Sequence, residues 1–135
     1  MIQKEYLGID IGASGIKGAI VDIKKGELIS DRLRIPTPDP STPRAVAKAV
    51  ATLVNEFKWK NKFIGCGFPS IIKNGTAYSA ANIHKSWIGV DVEKLFSAET
   101  GCGVFVKNDA DVAGIAEMKV GVGKGKKGVV MIITV

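Results

Sequence analysis

Two apolar runs, Tyr6–Ile11 and Ile16–Ile23, are separated by only four residues, Gly12–Gly15. A connection that short, built from Gly, Ala and Ser, folds the second run back on the first as an antiparallel hairpin. A third run of β type, Glu27–Ile35, comes after "KKGE", a second hairpin signal in which Gly26 can take a positive φ angle. The chain therefore begins as a three-stranded antiparallel meander.

Beyond the meander the pattern changes character. "PTPDPSTP" places four prolines in eight residues, which excludes helix and central strand and predicts an extended crossover. Thr42 and Pro43 then read as N-cap and first-turn residue of a helix. Val46, Val50, Leu53, Val54 and Phe57 recur at helical spacing and give it one apolar face. "KFIGCGF" (Lys62–Phe68) reads as a buried strand, and "PSIIKNGTAY" as a turn and a further β segment. Val92–Thr100 reads as a second helix, "GVFVKND" as a short strand, and Ala110–Val120 as a third helix. "GVGKGKKG" ends that helix, and the last eight residues read as one more strand. Strands alternating with helices after a meander predict an α/β domain: a mixed sheet with helices on its faces.

The whole chain bounds what such a domain can be. Its 135 residues suffice for one packed core, and 46% apolar with 24% charged residues excludes a disordered chain. The longest apolar run is too short to span a bilayer, and the amino terminus lacks a secretory-signal pattern. The expected location is cytoplasmic, with no membrane partner. Cys66 and Cys102 lie far apart without CxxC or Cys/His spacing, so they read as buried thiols and not as a metal site or disulfide. A net charge of +6 suits a polyanionic partner, but from charge alone a solvated basic surface is the favoured reading. No internal repeat or nucleic-acid-binding motif is present. The chain stops within an apolar run, "VVMIITV", and is expected to be the front part of a longer protein.

Two stretches carry chemistry. In "IDIGASGIKG" (Ile9–Gly18), Gly12 and Gly15 permit a tight turn and close approach to a ligand, while Ser14 and Lys17 offer a hydroxyl and a cation. Asp10 would repel a bare phosphate, but Mg²⁺ commonly takes one or two carboxylates together with phosphate oxygens. The spacing is neither a Walker loop nor GxGxxG. Taken alone, it also fits a plain hairpin with a solvated Asp. In "VKNDADVAG" (Val106–Gly114), Asn108 and Asp109 fall where a strand ends and a helix begins. Open α/β sheets bind ligands at that place, although an Asp there is also an ordinary helix-capping acid. Two acids at two strand ends fit phosphoryl transfer, one anchoring metal-bound phosphate and the other taking a proton from an attacking hydroxyl. "SAANIHKSWIG" (Ser79–Gly89) adds an amide (Asn82), a hydroxyl (Ser86) and an indole (Trp87), groups that carbohydrate sites use and surface loops also contain.

"LGIDIGASGIKGAIVD", "TPDPSTPRAVAKAV", "AANIHKSWIG" and "NDADVAGIAE", in this order, resemble the amino-terminal half of ROK family sugar kinases. "DIGxSxIKG" and "NDAD" are broad features of that family; "AANIHKSWIG" resembles its polyphosphate-using glucokinase branch. The resemblance covers essentially the whole chain. It implies an actin-like/ribonuclease H-like ATPase fold, with 1–122 as the small amino-terminal domain and 123–135 as a linker and the first strand of a second domain. It also implies phosphorylation of the 6-hydroxyl of glucose, with Mg²⁺ as cofactor and polyphosphate, ATP or both as donor.

Carried over by position, Asp109 resembles the catalytic base, and Asn108 and Asn82 resemble sugar-binding residues. Gly67, Pro69 and Ser70 line the same cleft. Gly12, Ala13, Ser14, Gly15 and Lys17 match the first phosphate loop, with Asp10 serving the metal. Ala13 and Ser70 depart from the family, each standing where a glycine is usual. Lys124, Lys126 and Lys127 either track a polyphosphate chain or form a solvated basic loop. The second phosphate loop, the remaining sugar-site residues and the common zinc motif would come after Val135, so the chain alone is expected to be inactive. Mannose or an amino sugar is an alternative acceptor. A non-catalytic sugar sensor is a rival of another class; such proteins carry a helix-turn-helix ahead of the first strand, which here starts around Tyr6 and is expected to leave no room for one. Family members are often homodimers.

Overall fold

The computed structural model describes residues 5–22, 25–60, 62–80 and 83–108. Strand β1 (Glu5–Ile11) runs antiparallel to β2 (Gly15–Asp22), with Asp10 opposite Lys17 and Ile11 opposite Ile16. Strand β5 (Ile64–Phe68) lies parallel to β1 on its other side, and β8 (Val104–Asn108) lies parallel to β5. The sheet is therefore mixed and opens with an antiparallel meander, as the sequence predicts.

The third apolar run departs from expectation. Glu27–Ile35 is not one strand but two, β3 (Glu27–Leu28) and β4 (Leu33–Pro36), both paired antiparallel with β2. The reason lies at Ile20. Its carbonyl accepts the Ile29 N–H at 2.9 Å, but its own N–H goes to the Ser30 hydroxyl at 2.8 Å. A side chain takes over the ladder for one step, the backbone swings out, and pairing resumes at Leu33. Gly26 turns the chain into β3 at φ 70°.

Helix α1 (Pro43–Glu56) begins as expected: the Thr42 hydroxyl accepts from the Ala45 N–H, and Pro43 occupies the first turn. The chain reaches it through a cis Asp39–Pro40 peptide. Helix α2 (Val92–Thr100) is capped by Asp91, which accepts from the Lys94 N–H at 2.9 Å, and ends at Gly101 in the left-handed conformation. Both helices cover one sheet face. Val46, Val50, Leu53, Val54 and Phe96 pack with Leu7, Ile9, Ile11, Ile64, Cys66 and Val106, all buried. Gly18, opposite Ile9, leaves the room that Leu53 and Phe57 fill.

Between β5 and α2 the chain forms a small hairpin, β6 (Ile72–Lys73) with β7 (Thr76–Ala77), then one 3₁₀ turn (Lys85–Trp87). Glu93 of α2 accepts the Val106 N–H at 2.9 Å and so fastens the helix to β8. The expected helix Ala110–Val120 and the final strand lie outside the described residues. No described helix is long and apolar enough to cross a membrane.

Candidate phosphate and sugar site

The strand pairings place one residue from each of five strands in a single lateral row: Arg34 (β4), Lys17 (β2), Asp10 (β1), Gly67 (β5) and Lys107 (β8). Directly paired residues project to the same face of a sheet. The row lies on the face opposite α1 and α2, because Asp10 alternates with Ile9 and Ile11, which face the helices. Asp10 and Lys17 of the first motif and Gly67 of a separate stretch are thus neighbours. Arg34, which no sequence motif singled out, extends the row, and its only signal was its place in a strand of then unknown register.

The turn above this row is tight. The Gly12 N–H donates to the Gly15 carbonyl at 2.9 Å, and a Cβ on Gly12 would lie 2.9 Å from that same oxygen. Glycine is required at 12 for space. Ala13 is not among the described non-glycine residues with positive φ, which are Lys58 and Asn74, so alanine fits here without strain. Ala13 and Ser14 form the exposed tip. Their support comes from residues after β3. The Thr37 hydroxyl donates to the Gly12 carbonyl at 2.7 Å, the Thr37 N–H to the Ser14 carbonyl at 3.2 Å, and Arg34 Nη2 to the same Ser14 carbonyl at 3.0 Å.

Asp10 is partly buried and close enough to Cys66 to act on it. Burial first, and then the Asp10 carboxylate, push the Cys66 thiol far above its ordinary range. Both Cys66 and Cys102 are buried and unpaired with each other, as the spacing predicted. Among the described residues no cluster of three or more His, Cys, Asp or Glu could cage a metal. Mg²⁺ binds through one or two carboxylates plus water and phosphate oxygens, and the Asp10 carboxylate lies opposite Lys17 below the Gly12–Gly15 turn. A single carboxylate of that kind could serve such an ion.

The second cluster lies at the ends of β5 and β8, on the other face. Asn108 is level with Phe68, and its amide Nδ2 donates to the Ser70 carbonyl at 2.6 Å. The Pro69–Ser70 turn is in turn bound to Ser79: the Ser70 hydroxyl contacts the Ser79 carbonyl at 2.6 Å and accepts the Ser79 N–H at 3.2 Å, while the Ser79 hydroxyl accepts the Ile71 N–H at 2.9 Å. Ser70 is buried, so its hydroxyl ties the turn to the segment leading toward Asn82. Asn82 itself and Asp109 lie outside the described residues; Asn108 is the residue immediately before Asp109.

Trp87, whose indole fitted a carbohydrate site or a surface loop by residue type, is neither: it is a core residue. It is fully buried, its ring 4.6 Å from Phe68 and 6.0 Å from Phe96, and its Nε1–H donates to the Ser41 carbonyl at 2.7 Å. An indole so enclosed has no face left for a sugar. Ser86 is exposed, and its hydroxyl lies 2.7 Å from His84 Nδ1. The His84 N–H reaches the Ser41 hydroxyl at 3.2 Å. Residues 37–41 therefore join two turns, gripping Gly12–Ser14 through Thr37 and 84–87 through Ser41.

Comparison with known proteins places the chain in a family. The ROK family model matches residues 6–135. The chain is 46% identical over 133 residues to the polyphosphate glucokinase of Mycobacterium tuberculosis, covering 98% of this chain and 50% of that protein. It is 32% identical over 130 residues to the glucokinase of Streptomyces coelicolor, covering 93% and 39%. The chain thus spans half or less of the length of these relatives. Its coordinates superpose on the crystal structure of the inorganic polyphosphate/ATP-glucomannokinase from Arthrobacter sp. strain KM with a TM-score of 0.85, at 48% identity over 93% of this chain and 52% of that one. A ROK family glucokinase from Streptomyces griseus, solved with glucose and AMPPNP, matches at TM-score 0.71 and 26% identity over 90% and 38%. The mixed sheet is thus that of sugar kinases of the actin-like ATPase fold. The chain belongs to the ROK family.

Proposed function

We propose that this chain is the amino-terminal part of a cytoplasmic sugar kinase that transfers a phosphoryl group from polyphosphate or ATP to the 6-hydroxyl of glucose. The observation that carries the reading is the turn Gly12–Gly15. It is braced through its carbonyls by Thr37 and Arg34 and stands directly above the opposed pair Asp10 and Lys17. A braced glycine turn beside one cation and one carboxylate suits a phosphate that arrives with a divalent metal. Relatives bearing the names polyphosphate glucokinase and glucokinase support the same chemistry.

In this reading residues 1–122 form the small domain, and 123–135 lead into a second domain that completes the cleft. Asn108, held by the Ser70 carbonyl, orients the sugar together with Asn82. Asp109 accepts the proton of the sugar 6-hydroxyl as that oxygen bonds to the terminal phosphorus. The bridging P–O bond breaks, and its electron pair leaves with ADP or with a polyphosphate one unit shorter. Mg²⁺ held through Asp10 would neutralise charge on the phosphates, while Lys17 binds and orients them. Because such catalysis is mostly positioning and charge neutralisation, a well-braced turn matters more than reactive side chains. The polyphosphate/ATP-glucomannokinase relative favours mannose as a second acceptor.

The test is a coupled assay of glucose 6-phosphate formation by the protein as its gene encodes it, with the two donors supplied separately. Asp109→Asn should lower kcat by roughly 10²–10⁴, the usual worth of a general base, while glucose still binds. Near-normal turnover would place the base elsewhere.

A further inference from the structure

Arg34 sits on an outer strand, yet its side chain runs back over the turn. Nη2 donates to the Ser14 carbonyl at 3.0 Å. A Cβ on Gly15 would collide with Nε and lie 2.6 Å from Cζ and Nη2. No positive φ forces glycine at position 15; the space is taken by the guanidinium. The guanidinium thus lies directly over Gly15, at the foot of the turn.

A guanidinium carries five N–H donors, and the Ser14 carbonyl engages one nitrogen of the fork. That anchor holds a planar, permanently charged group beside the exposed tip Ala13–Ser14. Arg34 is directly opposite Lys17, which is directly opposite Asp10. Beyond Gly67 on the other side of Asp10 comes Lys107. Neighbouring strands are about 4.8 Å apart, so the five positions span roughly 19 Å. Three cations and one carboxylate along that row carry net positive charge over more length than a single phosphate occupies. A linear polyanion can lie along it. A nucleotide, which ends in a base after three phosphates, has less use for its far end.

We propose that Arg34 is a donor-binding residue that takes phosphates of a linear polyphosphate chain beyond the one transferred, and so favours polyphosphate over ATP. The assignment rests on the kinase reading above for its substrate, but its anion chemistry can be measured independently.

The experiment compares the gene-encoded protein with Arg34→Gln and Arg34→Lys. KM values are measured for polyphosphate, ATP and glucose, and inorganic tripolyphosphate binding is followed by calorimetry. Losing a charge-assisted contact in Arg34→Gln should raise the polyphosphate KM and weaken tripolyphosphate binding about tenfold. The ATP KM should move less than about threefold, and the glucose KM should hold. Arg34→Lys, which keeps the charge, should recover most of the loss.

Polyphosphate and ATP KM values that rise equally, or stay unchanged while kcat falls with both donors, would overturn the proposal and leave Arg34 as a brace for the turn. If the unsubstituted protein phosphorylates no sugar, the kinase reading fails. The titration still decides the anion site: weaker tripolyphosphate binding in Arg34→Gln upholds it, and equal or absent binding in both proteins overturns it.

Discussion

The hydroxyl of Thr37 donates a 2.7 Å hydrogen bond to the carbonyl of Gly12, across 25 residues of chain. Through it the segment after β4 sets the shape of the turn after β1. Thr37→Val keeps the volume but leaves that carbonyl without its partner. We expect a loss of about 1 kcal/mol in stability, the usual net worth of such a bond, together with a higher KM for the phosphoryl donor. Denaturant titration and donor kinetics check both; an unchanged midpoint with unchanged donor KM would show that the turn holds its own shape.

Asp10→Asn removes the charge at the foot of the turn while preserving size. The expected outcome is a rightward shift of the Mg²⁺ activation curve, with the glucose KM unaffected. A magnesium titration of initial rates measures this directly. Identical curves would take Asp10 out of the metal's reach.

Trp87→Phe keeps an aromatic ring against Phe68 and Phe96 but strands the Ser41 carbonyl and leaves a void. Destabilisation of about 1–3 kcal/mol is expected. The loop carrying His84 and Ser86 should also loosen from residues 37–41. Thermal melting and amide hydrogen exchange across 79–89 would register both; exchange rates that stay the same would show that the Ser41 contact does not hold this loop.

Cys66 stays neutral in the folded chain well above the ordinary thiol value of 9.0, chiefly because it is buried. Its folded pKa is raised, so its contribution to stability is complete below that value. As pH climbs further, the unfolded chain ionises the thiol while the native state cannot, and stability falls by as much as about 1.4 kcal/mol per pH unit. Cys66→Ala should therefore lose less stability than the parent between pH 8 and pH 10 in denaturant titrations. Parallel pH dependences would mean the thiol ionises in place. Neither Cys66 nor Cys102 should react with a thiol reagent until the protein is unfolded.

Much of this fold was legible because its signals are local. Thr42–Pro43 marks a helix start, the periodicity of Val46, Val50, Leu53 and Val54 marks its buried face, and Gly26 marks a turn; each is confirmed. The break in Glu27–Ile35 was not legible, because it depends on the Ser30 hydroxyl meeting the Ile20 N–H on another strand. Trp87 in a polar loop gave no sign that the loop folds its indole under Ser41. The site divides in the same way. Asp10, Lys17 and the glycines stood out by residue type, whereas Arg34 and Thr37 act through strand register and a contact between distant segments. Register is a property of the assembled sheet, and no spacing within "LRIPTP" encodes it.

One measurement bears most directly on the kinase reading: formation of glucose 6-phosphate by the protein as its gene encodes it, monitored with polyphosphate and with ATP as separate donors in the presence of Mg²⁺. We expect product with at least one of the two donors, and its near-complete loss in Asp109→Asn. No phosphorylation of glucose or mannose from either donor would contradict it.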